Sequence, residues 1–329
     1  MTHEKTVTTS RRGRALLAGL VASVLALGST LGAGAASAAD AVTFRIGWQK
    51  GANLAVIKAR GLFEERLKAQ GVDVTWIEFP AGPQMLEGLN VGSIDFGAVG
   101  EAPPVFAQAA TGSSLVYVGV EPPAPLAEAL LIPADSPITA VAELKGKRVA
   151  LNKGSNVHYF LVRALERAGL AYGDVEVVFL KPSDARAAFE KGAVDAWVIW
   201  DPYATATVAQ VGAKVLQTAE DIVDNYNFYI GTQAFAKDHP AVLEAALGHI
   251  GDEDQWIKDH LDEAAAIVGP QIGLPNDVAR RALANYGYGA GPVTEDVVAK
   301  QQELADVFTT LKLIPVKLDI ASVVWRPGS

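Results

Sequence analysis

Two acid–proline turns stand one hundred residues apart in this chain, Glu101-Ala102-Pro103 and Asp201-Pro202. The residues leading into them repeat at the same offset: Leu89 with Phe189, Gly92 with Gly192, Asp95 with Asp195. An acid in this position has two readings. It caps a helix whose first turn holds the proline, or it is a charged group at the mouth of a cleft. Trp200 and Tyr203 flank Asp201, and their N–H and O–H groups suit the oxygens of a sulfonate or phosphonate while the rings cover an aliphatic tail. Further upstream, Lys50-Gly51 in WQKGAN is echoed by Lys153-Gly154 in LNKGSN. Gly51, Gly82 and Gly154 precede or open helical runs, with Ser183 in the fourth equivalent place. Helix N-termini expose unpaired N–H groups and carry about +0.5 charge each, so loops of this kind bind anions. Lys50 and Lys153 add positive charge locally.

Other chemistries find no support in the residues. The chain has no cysteine, which removes disulfides, thiolate metal sites and cysteine nucleophiles. Its five histidines, His3, His158, His239, His249 and His260, show no metal-binding spacing. There is no Gly-x-Ser-x-Gly and no phosphate-loop pattern. Neither a metal nor a cofactor is expected, and no nucleophile is identifiable.

The elements that must position these loops alternate between strand and helix. Phe44–Trp48 reads as a buried strand, followed by a short helix capped by Asn53 and ending near Gly61. Val72–Phe79, Ile94–Val99 and Leu115–Val120 read as strands, with a helix opened by Ala81-Gly82-Pro83 between the first two. Ala129–Ile132, Arg148–Leu151, Val175–Leu180 and Asp195–Trp200 repeat the pattern, and Ser155 or Asn156 caps the helix that runs to Ala168. Phe228–Gly231 reads as a returning strand. Beyond it, Pro240–Ile267 is mostly helical, and Thr294 caps a run from Glu295 to Leu311. Alternation of this kind implies α/β lobes with mostly parallel sheets, whose ligands bind beyond the carboxyl ends of the strands. The expected organisation is two similar lobes joined by two crossings, one at Glu121–Pro125 and one near Asp224–Phe228. Lobe 1 takes residues 40–123 and 226–329, and lobe 2 takes 124–225.

Residues 1–39 read as an export signal: Arg11, Arg12 and Arg14, then an apolar stretch from Ala15 to Leu31, then Ala36-Ser37-Ala38 as a cleavage site. Cleavage is expected after Ala38 or Ala39, leaving a periplasmic protein. Its removal takes away four basic residues and Glu4, moving the net charge from −9 to −12. So acidic a chain does not suit nucleic acid.

The runs IGWQKG, VTWIEFPAGPQMLEGLNVGSIDFGAVGEAPPVFAQAA, LVYVGVEPP, LKGKRVALNKGS, DARAAFEKGAVDAWVIWDPY and LDIASVVW resemble the aliphatic sulfonate-binding proteins of sulfonate ABC importers, relatives of the taurine- and nitrate-binding proteins. The resemblance implies a two-lobe type II periplasmic binding protein fold with a ligand cleft between the lobes. It also implies capture of an alkanesulfonate, delivery to a membrane ABC permease, a monomer, and no enzymatic activity. Taurine, nitrate or another small anion is the alternative ligand, and an exported enzyme on the same fold the more distant one. The ligand loops carried over by the resemblance are Gln49-Lys50-Gly51, Gly82 and Gln84, Gly100-Glu101, Lys153-Gly154-Ser155-Asn156, and Trp200-Asp201 with Tyr203. Ala52-Asn53 and Gly100-Glu101 depart from the smaller Ser and Asp associated with these loops.

Overall fold

The computed structural model describes residues 41–326, so the expected export segment lies outside the described residues. Ten strands are present among these: β1 (Val42–Trp48), β2 (Val72–Glu78), β3 (Phe96–Gly100), β4 (Leu115–Val120), β5 (Glu128–Ile132), β6 (Arg148–Leu151), β7 (Glu176–Phe179), β8 (Ala196–Trp200), β9 (Lys214–Thr218) and β10 (Asn227–Thr232). Their helices are α1 (Ala52–Arg60), α2 (Leu62–Lys68), α3 (Gly82–Asn90), α4 (Ala102–Gln108), α5 (Asn156–Arg167) and α6 (Pro182–Glu190). The remainder are α7 (Tyr203–Val211), α8 (Gln233–Asp238), α9 (Pro240–Asp259), α10 (Leu261–Ile272), α11 (Asn276–Leu283) and α12 (Glu295–Thr310). None is long and apolar enough to cross a membrane.

The strands form two five-stranded sheets, ordered β2-β1-β3-β10-β4 and β7-β6-β8-β5-β9. In each, four strands run in one direction and one antiparallel strand is inserted between the third and the fourth. That antiparallel strand is the one the chain makes on arriving from the other lobe, β5 outward and β10 on return. Each therefore begins at the edge where the parallel strands end: Asn227 pairs with Gly100, and Glu128 with Trp200. Residues at both crossings are thereby placed beside the strand ends, where parallel α/β sheets bind ligands.

Lobe 1 packs Phe44, Phe96, Tyr229 and Phe235 into its core, with Phe44 stacked on Phe235 at 4.9 Å and Phe96 on Tyr229 at 5.8 Å. Lobe 2 is built around Trp197, Phe160 and the fully buried β5. The expected continuous helix from Pro240 breaks at His260 into α9 and α10. Asn53 does not cap α1. It lies inside the helix, fully buried, and its amide donates to Tyr229 Oη at 2.6 Å and Asp254 Oδ1 at 2.8 Å. Gly51 holds the cap position instead. Ser155 does hold the cap position of α5, but its hydroxyl turns back to donate to the Asn152 carbonyl at 2.7 Å.

The repeated aspartates have a structural role in both lobes. Asp95 Oδ2 accepts from the backbone N–H and the Nε of Arg45, both at 2.9 Å, and Arg45 also reaches the Gly92 carbonyl. Asp195 Oδ2 accepts from the same two groups of Arg148 at 2.8 and 3.2 Å, and Arg148 reaches the Gly192 carbonyl. Gly92 and Gly192 end the preceding helices at φ values of 71° and 67°, a region glycine enters without strain. Each lobe thus pins the start of its third strand to its first, which fixes where both strands end. Hydrogen bonds to an ionised group contribute about 1.5–3 kcal/mol each. Asp95 is buried and Asp195 half-exposed. Asp95→Ala is therefore expected to cost about 3 kcal/mol in urea unfolding, and Asp195→Ala about 1 kcal/mol, since solvent screens the second pair. Equal losses, or none, would contradict the pinning role.

Candidate functional site

The two crossings lie side by side. Ala124 N–H donates to the Asp224 carbonyl at 3.1 Å, Glu121 N–H to the Asn227 carbonyl at 2.9 Å, and Asn225 Nδ2 to the Ala124 carbonyl at 2.8 Å. In front of them, between the lobes, is a cavity of about 40 Å³. One water needs roughly 10–15 Å³ on this measure, so the chamber holds a small group only. Its wall comes from both lobes: Gln49, Gly51, Ala52, Gly82, Ala98, Gly100 and Pro103 from strand ends and helix starts of lobe 1, Asn156 and Trp200 from lobe 2. Asn225 and Asn227 come from the returning crossing, and Leu54 and Tyr286 complete it.

Four helices, α1, α3, α4 and α5, have residues of their first turn in this wall; α1, α3 and α5 bring unpaired N–H ends to it, while α4 contributes Pro103, which has no N–H. Ala52, at the start of α1, sits at φ 59°, an unusual conformation for a residue with a Cβ and one found preferentially at functional sites. The polar side chains in the wall are all neutral. Gln49 Nε2 is steadied by the Ala98 carbonyl at 3.1 Å, and Asn227 Nδ2 donates to Glu121 Oε2 at 3.0 Å. Asn156 Nδ2 donates to Glu128 Oε1 and, at 3.0 Å, to Asn225 Oδ1.

Glycine is required where the lobes meet. A Cβ on Gly51 would lie 2.7 Å from the Asp201 carbonyl oxygen, and one on Gly100 would lie 2.7 Å from Asn156. Asp201 is the other interlobe anchor. Its Oδ1 accepts from Thr205 N–H at 2.8 Å, closing the first turn of α7, while Oδ2 accepts from Asn285 Nδ2 at 2.7 Å. Its carbonyl accepts from the Tyr286 hydroxyl. Pro202 holds the cap position of α7, with Asp201 one residue before it, and the buried Asp201 carboxyl does not line the cavity.

Of the residues expected at the site, the wall contains Gln49, Gly51, Gly82, Gly100, Asn156 and Trp200. The others stand behind or outside it. Lys50 is half-exposed, 3.7 Å from Glu78, and Lys153 is exposed with its ammonium 5.6 Å from the Phe179 ring. Gln84 is half-buried on α3, Gly154 packs near Phe106, and Ser155 is buried under α5. Tyr203 meets Trp200 edge-on at 6.1 Å. Glu101 holds the cap position of α4 but makes no side-chain cap bond. It is buried behind Gly100, its Oε2 accepting from Tyr226 N–H at 3.1 Å. The wall also contains Ala52 and Pro103, noted in the sequence only as neighbours of the expected residues, and four that sequence reasoning did not single out at all beside Ala98: Leu54, Asn225, Asn227 and Tyr286. Asn225 and Asn227 had a signal, since they lie in the returning crossing beside the expected strand.

Carboxyl groups without cations surround the chamber. Burial pushes Glu101 up to about 8, raises Glu128 well above the carboxylate range, and also raises Asp201. Burial raises Glu121 and Asp254, the charge of Asp254 adding to the rise at Glu121 and that of Glu253 to the rise at Asp254. Among the described residues, no cluster of His, Cys, Asp or Glu is arranged to hold a metal ion.

Comparison with known proteins agrees with this architecture. The NMT1/THI5 like family matches residues 50–264. An aliphatic sulfonates-binding protein of Escherichia coli is 43% identical over 91% of this chain and 93% of its own length. A second, from Bacillus subtilis, is 35% identical over 85% of each. The structure of the alkanesulfonate-binding protein SsuA from Xanthomonas axonopodis pv. citri, bound to MOPS, superposes with a TM-score of 0.84 at 39% identity, covering 88% of this chain and 99% of that one. With identity of this extent carried over nearly the whole of both chains, the protein belongs to the NMT1/THI5-like family, alongside the aliphatic sulfonate-binding proteins.

Proposed function

We propose that this chain is the extracytoplasmic substrate-binding component of an ABC importer, capturing short aliphatic sulfonates between its lobes and delivering them to a membrane permease. The observation that carries this reading is the cavity wall, which joins the N-termini of α1, α3 and α5 to neutral amide groups and contains no basic side chain. Such a wall suits an anion of one charge. A sulfonate keeps a single charge at every working pH. Sulfate or a phosphonate would bring a second charge into a site with no cation and several buried acids nearby, at a large desolvation cost. Leu54, Pro103 and Trp200 supply apolar surface for a short tail. The close relatives are named as binding proteins, which supports binding without turnover. The similarity to the periplasmic aliphatic sulphonate binding protein SsuA of Escherichia coli supports an exported protein.

A calorimetric or thermal-shift screen of methane- to octanesulfonate, MOPS, taurine, nitrate, sulfate and a phosphonate tests the reading. A short alkanesulfonate at ~100 times its dissociation constant is expected to add about 2.7 kcal/mol of stability. Sulfate is expected to bind at least about tenfold more weakly, a difference of roughly 1.4 kcal/mol. Sulfate binding as tightly as ethanesulfonate would contradict the charge argument, and no response to any sulfonate would contradict the function.

The glycine contacts give a second expectation. Gly100→Ala places its methyl against Asn156 across the cleft without entering a forbidden backbone region. It should leave the urea midpoint of the ligand-free protein close to wild type, weaken ethanesulfonate binding by about tenfold or more, and reduce the contraction seen by solution scattering when ligand is added. Wild-type affinity and contraction in this variant would mean that the lobes do not close through this contact.

A further inference from the structure

Glu101 and Glu128 are buried on opposite sides of the interlobe contact. Glu101 ends the β3 turn in lobe 1 and is 4% exposed; Glu128 opens β5 in lobe 2 and is 0% exposed. Each has one carboxyl oxygen with an N–H donor, Tyr226 N–H for Glu101 Oε2 and Asn156 Nδ2 for Glu128 Oε1. Each has a second oxygen, Glu101 Oε1 and Glu128 Oε2, that is buried with no hydrogen-bond partner. Neither forms an ion pair, and the charge of Glu101 acts on Glu128. Two ionised carboxylates so placed would each leave an uncompensated buried oxygen, while a proton on one or both relieves the repulsion.

We infer that Glu101 and Glu128 are positioning residues that take up a proton when the lobes close, so that ligand capture is coupled to proton uptake. Closure presses Gly100, the neighbour of Glu101, against Asn156, the partner of Glu128. Opening parts that contact and admits water to both carboxyls. The captured anion, lying against Asn156 and Gly100, adds a third negative charge and favours the protonated form further. The surroundings offset this only in part. Around Glu101 stand Tyr226, Asp224 and Lys300 from the crossing and α12, of which Lys300 and the Tyr226 N–H favour the ionised form; Tyr159 from α5; and Gln301, whose amide is spent on the Glu101 carbonyl at 2.6 Å and on Tyr117. Arg163, Glu220, Asp221 and Glu303 line the same cavity as Glu101, three acids to one base. Lys300 is held by Asp224 at 2.8 Å. Around Glu128 stand Glu101, Asn156 and, through Asn156, Asn225. Asp201, the other buried acid at the interlobe contact, has donors on both oxygens and lacks this deficit.

The sign follows from burial. The carboxyl that holds its proton more tightly in the closed form favours closure at low pH, and that advantage is lost as pH rises through the closed-form value, about 8 for Glu101. Affinity for ethanesulfonate should therefore fall by up to about tenfold per pH unit between pH 6 and 8. Calorimetry at pH 7 in buffers of different ionisation enthalpy should show proton uptake on binding. In Glu101→Gln and Glu128→Gln the uptake should diminish and the pH profile flatten, with affinity at pH 6 kept within a few-fold. A ligand-free arm follows compaction by solution scattering from pH 5 to 8, where wild type should open as pH rises and neither glutamine variant should. A buffer-independent enthalpy, or uptake and scattering profiles unchanged in both variants, overturns the inference. The inference depends on the proposed function for its probe alone. If ethanesulfonate fails to bind, that reading fails, and the ligand-free scattering comparison decides the inference by itself.

Discussion

At Gly51 and Gly100 the backbone of one lobe comes so near the other that a single methyl group would lie 2.7 Å from its neighbour. The rest of the site follows from that approach. It brings the first turns of α1, α3 and α4 against the start of α5 and leaves a chamber only a few atoms wide. Such proximity needs strand ends held in register, and the Arg45–Asp95 and Arg148–Asp195 pins provide that in each lobe. It also needs crossings stiff enough to guide closure yet thin enough to bend. The paired hydrogen bonds of Glu121, Ala124 and Asn225 to the returning segment meet both demands.

An acidic protein that binds an anion must do so without relying on its net field. Here the counter-charge is backbone. Converging helix ends supply partial positive charge at fixed positions, and neutral amides supply directed hydrogen bonds. No lysine or arginine enters the wall, so there is no buried cation to desolvate when the site is empty. The buried acids behind the wall complement this arrangement. Burial raises their pKa values, and two of them, Glu128 and Glu121, accept from Asn156 and Asn227 and so orient these amides.

Much of this could be read from the residues. The hundred-residue echo, the strand–helix alternation and the glycine-opened helices identify two α/β lobes with loops at the strand ends, and the positions of β1, β3, β6 and β8 follow them closely. The echo was less informative about roles. Asp95 and Asp195 repeat because each lobe must tie its third strand to its first, not because both face a ligand. Lys50 and Lys153 repeat as well, yet both side chains stand outside the chamber. Asn225, Asn227 and Tyr286 have no counterpart in the echo, since a crossing and a C-terminal segment each occur once. An asparagine in a loop also reads as an ordinary turn residue. Asn53 was legible only as a helix cap, because its partners Tyr229 and Asp254 are distant in sequence.

The central claim is that a singly charged head group is held by backbone and neutral amides, with the lysines uninvolved. A crystal structure of the mature chain with ethanesulfonate tests it most directly. The account requires the sulfonate oxygens to lie about 3 Å from N–H groups of the α1, α3 or α5 first turns and from Gln49 or Asn227, with Lys50 and Lys153 beyond hydrogen-bond reach. A sulfonate seated on either lysine ammonium, or one bound to a single lobe with the cleft open, would contradict it.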